Sequence, residues 1–178
     1  MEKKKRYIEQ MNIPAYDAGI LTSAKELSAL FEHTAELCGD PKEASNWIMG
    51  ELLKLLNDSG QTPEDMSIRE DSLGEIILLV KSGRISRASG KTILKAAWEE
   101  GVIPEEYASQ HDLWQISDEV VLEEKVKEVI LQNPKAVKEY HDGKTKNFQF
   151  LLGQSMRATK GKADPKVLQN VLTRLLQS

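Results

Sequence analysis

Asp40-Pro41-Lys42-Glu43-Ala44-Ser45-Asn46-Trp47-Ile48-Met49-Gly50-Glu51-Leu52 opens with the punctuation of a helix start. Asp40 offers an N-cap carboxylate, and Pro41 takes the first helical position, where its missing N–H costs nothing. Glu43, three residues past the cap, completes a capping box. Ala44, Trp47, Ile48, Leu52, Leu55 and Leu56 then recur at helical spacing on one face, and Asn57-Asp58-Ser59-Gly60 ends the run.

The same grammar repeats outward from this stretch. Upstream, Ser23 opens a helix bearing Leu27, Leu30, Phe31 and Leu37 and ended by Gly39. Residues 2–21 read as a short helix, a break at Pro14, and a further turn or two. Downstream, Ser67-Ile68-Arg69-Glu70 forms a second capping box ahead of Leu73, Ile76, Ile77 and Val80, closed by Gly83. Ser86 caps a helix with Ile93, Leu94, Ala97 and Trp98 inward and Gly101 at its end. Residues 102–116 read as a connector holding one short helix.

Beyond it the pattern restarts. Ser117 caps a helix with Leu122, Val126, Val129 and Ile130, and Asn133-Pro134 opens a short one with Val137 and Tyr140, ended by Gly143. Phe148, Leu151, Leu152 and Met156 mark the next, ended at Gly161, and Asp164-Pro165 opens the last, with Leu168, Val171, Leu172, Leu175 and Leu176. Strand signals are nearly absent, because no stretch alternates apolar and polar residues with β-branched enrichment. The predicted fold class is all-α with two helical subdomains: a lead-in over 1–22, a larger bundle over 23–102, a connector over 103–116, and a C-terminal bundle of three to four short helices over 117–178.

A length of 178 residues suits two such subdomains. Folding at this size buries roughly 70% of the unfolded chain's surface, so neither disulfide nor metal is needed for stability. Cys38 is the only cysteine, which excludes an intramolecular disulfide and a cysteine-based zinc site and fits a reducing cytoplasm. The apolar run Ile76-Ile77-Leu78-Leu79-Val80 is far too short to span a bilayer, and no apolar signal core follows Met1-Glu2-Lys3-Lys4-Lys5-Arg6.

Catalytic motifs do not emerge. Gly90-Lys91-Thr92 and Gly143-Lys144-Thr145 lack the glycine a phosphate loop needs five positions before its Gly-Lys pair; those positions hold Ile85 and Lys138. His33, His111 and His141 lie far apart without partners at ligand spacing, and no turn motif exposes a serine nucleophile. Glu99-Glu100 and Glu123-Glu124 fall on adjacent helix positions and diverge. A DNA-binding helix–turn–helix over 69–101, with Arg87, Lys91 and Lys95 leading, would set Glu64, Asp65, Glu70, Asp71 and Glu75 against the phosphates, so no DNA partner is expected.

Charge distribution is more informative than the net −4. Residues 1–116 hold 13 Lys+Arg against 20 Asp+Glu, and residues 117–178 hold 11 against 8. Within the latter, Lys144, Lys146, Arg157, Lys160, Lys162, Lys166 and Arg174 face one acid, Asp164, across residues 144–178. Cations in a last helical turn complement its dipole, which accounts for Arg157 and Lys160 and leaves Lys144, Lys146, Lys162 and Lys166 unexplained. The turn at Gly161, with the N–H groups near Pro165 and Lys166 at a new helix start, reads either as a phosphate-backbone site or as a solvated basic face.

Gly153-Gln154-Ser155-Met156-Arg157-Ala158-Thr159-Lys160-Gly161-Lys162-Ala163-Asp164-Pro165, Asn133-Pro134-Lys135-Ala136-Val137 and Ala44-Ser45-Asn46-Trp47-Ile48-Met49-Gly50-Glu51-Leu52 together resemble the C-terminal half, with its YqeY-like tail, of the GatB family, the B subunits of the aspartyl/glutamyl-tRNA amidotransferase. Ile13-Pro14-Ala15-Tyr16-Asp17-Ala18 is similar to the stretch leading out of that family's catalytic domain. The family's tail run reads G-Q-V-M-K-A-T-K-G-K-A-N-P; here Ser155, Arg157 and Asp164 depart from it, and Asp164 places a negative charge within the candidate phosphate site.

The resemblance implies a chain that starts beyond the catalytic cradle, with no cofactor of its own. The parent ligase would use ATP and Mg²⁺ to amidate mischarged tRNA, in company with the A and C subunits. It implies that this chain is a non-catalytic, cytoplasmic tRNA-binding module, with Lys144, Lys146, Arg157, Lys160, Gly161, Lys162 and Lys166 as its RNA-binding residues. The alternative reading is a helical protein-interaction module whose basic face docks an acidic partner.

Overall fold

The computed structural model describes residues 2–178, and among them the regular secondary structure is helical, with no strand beyond one isolated bridge. In chain order the helices are α1 (Glu2–Met11), α2 (Ala15–Leu21), α3 (Lys25–Cys38), α4 (Pro41–Trp47), α5 (Leu53–Ser59), α6 (Ser72–Lys81), α7 (Arg87–Glu100), α8 (Pro104–Gln110), α9 (Glu119–Gln132), α10 (Pro134–His141), α11 (Lys146–Ala158) and α12 (Pro165–Gln177). The all-α reading holds. The chain divides into two compact units, one ending at Asp112 and the other running Leu113–Ser178.

In the first unit α3 packs against α4 and α6, and α6 against α7 and α8. Its core is built from Leu27, Phe31, Trp47, Ile48, Leu52, Leu73, Ile76, Ile77, Ile93 and Leu94, all buried. The Glu43 N–H donates to Asp40 Oδ1 at 3.0 Å, and the Ser89 N–H to Ser86 Oγ at 3.0 Å, as the N-caps require, while the Glu43 carboxylate accepts from Asn46 and Arg87. Three local expectations fail. The run expected to be one α-helix from Pro41 is interrupted by a π-helical turn, Ile48–Leu52. The capping box lies at Thr62 and Asp65, opening a 3₁₀ turn, while Ser67–Glu70 stays outside α6. Ser23 caps nothing downstream; its hydroxyl donates back to the Ile20 carbonyl at 2.7 Å, and α3 starts after Ala24.

Tyr7 ties α1 to α3. Its ring meets Phe31 edge-on with centroids 4.7 Å apart, and its hydroxyl donates to Glu32 Oε1 at 2.8 Å. Lys3 Nζ lies 3.3 Å from the other Glu32 oxygen, and Arg6 pairs with the same carboxylate. Burial first, and then the Glu32 carboxylate, push the Tyr7 hydroxyl far above its ordinary range. Burial would raise the Glu32 carboxyl, but the hydrogen bonds from Tyr7 and Lys3 outweigh it and hold the carboxyl below its usual range.

A depressed folded pKa contributes stability that is complete above the unfolded value, near pH 4.5 for glutamate, and is lost as pH falls through the folded value. Glu32→Gln is expected to cost about 1–2 kcal/mol at pH 7, since charged hydrogen bonds become neutral ones. Below the carboxylate range that difference closes, and urea titrations at pH 7 and pH 3 check it. A cost that is the same at both values would refute this role for Glu32.

The second unit builds its core from Leu122, Val126, Val129, Leu151, Ala163, Leu168, Val171, Leu172 and Leu176. α9 packs on α12 and α11, and α10 packs on α11. The cap of α9 is Asp118, which accepts from the Val120 N–H at 2.9 Å, one residue after the serine expected to do so. A single parallel bridge pins the segment before α9 to the α11–α12 turn: the Ile116 N–H donates to the Lys162 carbonyl at 2.7 Å, and the Asp164 N–H to the Ile116 carbonyl at 2.9 Å. His141 Nε2 meets the Leu176 carbonyl at 2.8 Å, fixing the end of α12 to α10.

Candidate nucleic-acid interface

The turn from α11 into α12 is tightly wound. Lys160 and Gly161 take consecutive left-handed conformations, with φ of +54° and +74°. Glycine adopts this region freely, whereas lysine there carries local strain. The turn is held from below, where the Thr159 hydroxyl donates to the Met156 carbonyl at 2.9 Å. The Lys160, Gly161 and Lys162 N–H groups donate to the Arg157, Met156 and Thr159 carbonyls at 2.9, 2.9 and 3.0 Å. These N–H groups therefore face inward and are satisfied.

The start of α12 is satisfied as well. Asp164 Oδ1 accepts from the Lys166 and Val167 N–H groups at 2.9 and 3.4 Å. This corrects the expected phosphate cradle at the helix N-terminus, because the chain's own carboxylate already fills the place an anion would take. Any anion at this turn must be held by side chains.

Those side chains form two groups. Arg157, Lys160, Gly161 and Lys166 lie exposed around the α11–α12 turn, with half-buried Lys162 among them. Lys144 and Lys146 lie at the opposite end of α11. Arg157 stands 11 residues beyond Lys146, roughly 16 Å along a helix axis. The seven predicted residues are thus not one cluster but two, joined by one helix.

Pairing separates them further. Arg174, one of the cations of residues 144–178, is taken by Glu119 at 3.2 Å and Glu123 at 2.9 Å, and Lys144 lies 3.7 Å from Glu139. Hydrogen bonding from Lys127 holds the Glu123 carboxyl below its usual range, with Arg174 adding to it. Among the described residues, Lys146, Arg157, Lys160 and Lys166 have no carboxylate within salt-bridge distance.

Elsewhere, Gly90 lies within α7, packed against Trp47 and Val80, and Gly143 sits in the turn after α10, so neither backbone can wrap a nucleotide's phosphates. His33, Glu70 and Asp71 bring ligand atoms within 4.8 Å of one another, a proximity their sequence positions did not reveal. His33 Nε2 and Asp71 Oδ1 are 2.7 Å apart, a contact that docks α3 to the start of α6. Among the described residues no helix is long and apolar enough to cross a membrane.

A known domain, the GatB domain, matches residues 29–176, which leaves α1, α2 and the first turn of α3 outside the match. The chain belongs to the GatB domain family. Curated relatives include the B subunit of the aspartyl/glutamyl-tRNA(Asn/Gln) amidotransferase of Lachnoclostridium phytofermentans, 38% identical over 98% of this chain and 36% of the relative. The protein of the same name from Caldicellulosiruptor bescii is 41% identical over 99% of this chain and 37% of its own length. That from Thermotoga petrophila is 39% identical over 99% and 36%. The chain spans a little over a third of the length of these relatives, and its role is related to theirs.

Proposed function

We propose that the chain is a non-catalytic tRNA-binding module of an amidotransferase of this family, gripping the nucleic acid through phosphate contacts from α11 and the α11–α12 turn. The observation that carries the reading is the set Lys146, Arg157, Lys160 and Lys166, exposed and unpaired on a chain whose net charge is −4. Lys144 and Lys162 extend the face at either end. Such contacts position a folded RNA without reading its bases. The relatives' names, which specify aspartyl/glutamyl-tRNA, favour tRNA over other polyanions. The reading carries with it a cytoplasmic setting, the A and C subunits as partners, and ATP- and Mg²⁺-dependent amide transfer performed by other parts of the GatB polypeptide and its partners.

Phosphate binding has a quantitative mark. Four to six contacts give log K against log salt a slope of roughly −3 to −5. A titration of the chain with unfractionated tRNA between low and physiological salt measures it. A flat salt dependence would refute the phosphate reading, and affinity for an acidic protein that survives excess tRNA would establish the basic face as a protein-docking surface.

A further inference from the structure

Between the end of α9, the first turn of α10 and the N-terminal half of α11 lies an open pocket of about 360 Å³, whose walls include Asn133, Lys135, Glu139, Asn147 and Phe150. Phe150 is 47% exposed, although a ring of that size is ordinarily drawn into the core. Lys146, Phe150, Gly153 and Arg157 follow one another at spacings of four, three and four, so they share one face of α11, and all are exposed. Gly153 weakens the helix interior without need, since a Cβ built there would meet nothing within 4 Å. Nothing inside the chain requires a bare backbone at that point. A partner pressed against α11 would.

The pocket's polar groups suit a particular kind of partner. The Asn147 side-chain amide donates to Glu139 Oε2 at 3.3 Å, and Lys144 Nζ stands 3.7 Å from Oε1, so the carboxylate is held in position with acceptor capacity to spare. The Asn133 amide donates to the Val129 carbonyl at 2.8 Å, which leaves its oxygen as a further acceptor. A carboxylate is out of place in a phosphate groove, where it repels the backbone. It is in place at the edge of a nucleobase that presents N–H donors.

The geometry points to this pocket as the seat of one unstacked nucleobase of the bound RNA, with guanine the best fit. The base stacks on Phe150, as single-stranded bases do on exposed aromatics. Guanine alone presents two adjacent donors, N1–H and N2–H, to a carboxylate's two oxygens, so Glu139 selects it. The sugar–phosphate strand then crosses α11 at Gly153, between Lys146 and Arg157. This deepens the RNA-binding reading and rests on it: the lysines would supply affinity, and the pocket a sequence or loop preference.

Two stem–loop RNAs test it, each with one purine in an otherwise uridine loop: guanosine in one, inosine (which lacks the N2 amino group) in the other. Binding to the whole chain is read by fluorescence anisotropy. The guanosine loop is expected to bind about tenfold tighter, the gain from one extra well-placed hydrogen bond to a charged acceptor. Glu139→Gln removes that preference. Phe150→Ala weakens both RNAs about tenfold at an unchanged salt slope, and Phe150→Trp restores the affinity. Equal affinity for the two loops, or a Phe150→Ala chain that binds as the parent does, overturns the pocket while salt-sensitive binding keeps the basic face. Absence of salt-sensitive affinity for either RNA overturns both.

Discussion

Trp47→Ala is expected to lower the stability of the first unit by about 3–5 kcal/mol, a large part of what a unit of this size possesses. The side chain is fully buried, and an Arg87 guanidinium lies 4.8 Å from the ring centroid, itself held by Glu43 at 3.0 Å. Gly90 is hemmed in by this ring and by α6: a Cβ there would sit 2.9 Å from Trp47 Cη2 and 2.9 Å from Val80 Cγ2. Gly90→Ala therefore overpacks the α6–α7 contact and costs about 1–3 kcal/mol in the parent chain. In a Trp47→Ala background one of the two clashes is gone, so the second substitution costs less and the pair is non-additive. Urea unfolding followed by far-ultraviolet circular dichroism measures all four species. Strict additivity would mean that Gly90 is constrained by something other than Trp47.

That contact also marks where sequence reading stops. Asp40, Ser86 and Asp164 cap the helices they were expected to cap, because a cap is a local matter of one side chain and the N–H groups two or three residues on. The π-turn at Ile48–Leu52 was not legible: Trp47, Ile48 and Leu52 keep apolar spacing in either winding, and only their packing decides between them. Ser67–Glu70 matched a capping box in letters, yet Thr62 and Asp65 formed the real one behind Pro63. An Asp in the fourth position and the lack of an apolar run after it hid the motif.

The site divides in the same way. That residues 144–178 are basic is plain from composition, and that Gly161 would be left-handed follows from its place after a helix. Which cations are free is a tertiary matter. Arg174 belongs to the segment by sequence, but Glu119 and Glu123, more than fifty residues away, take it. The closure of the α12 N-terminus by Asp164 was foreshadowed by the aspartate itself. Phe150 falls outside the apolar face that Phe148, Leu151, Leu152 and Met156 mark, and its spacing alone does not say that its ring lines a pocket.

Converting Lys146, Arg157, Lys160 and Lys166 together to glutamine is expected to weaken tRNA binding by about 10²–10³-fold at physiological salt. Each phosphate contact contributes about −0.9 to the salt slope, so losing four removes roughly 3.6 units. Extrapolated from 1 M to 0.15 M salt, that is about three orders of magnitude, less if one of the four points away from the RNA. Glutamine keeps much of the aliphatic stem, so packing along α11 is retained and circular dichroism should not change. The control is Arg174→Gln. It removes the same unit charge from the same segment, but from a cation already paired at 2.9 and 3.2 Å, and should leave affinity within about twofold. The comparison separates two ideas that composition cannot. If affinity followed net charge alone, Arg174→Gln would cost a quarter as much, in log units, as the fourfold variant. If it follows unpaired cations on one face, Arg174→Gln costs almost nothing, and the salt slope falls only when Lys146, Arg157, Lys160 and Lys166 are changed.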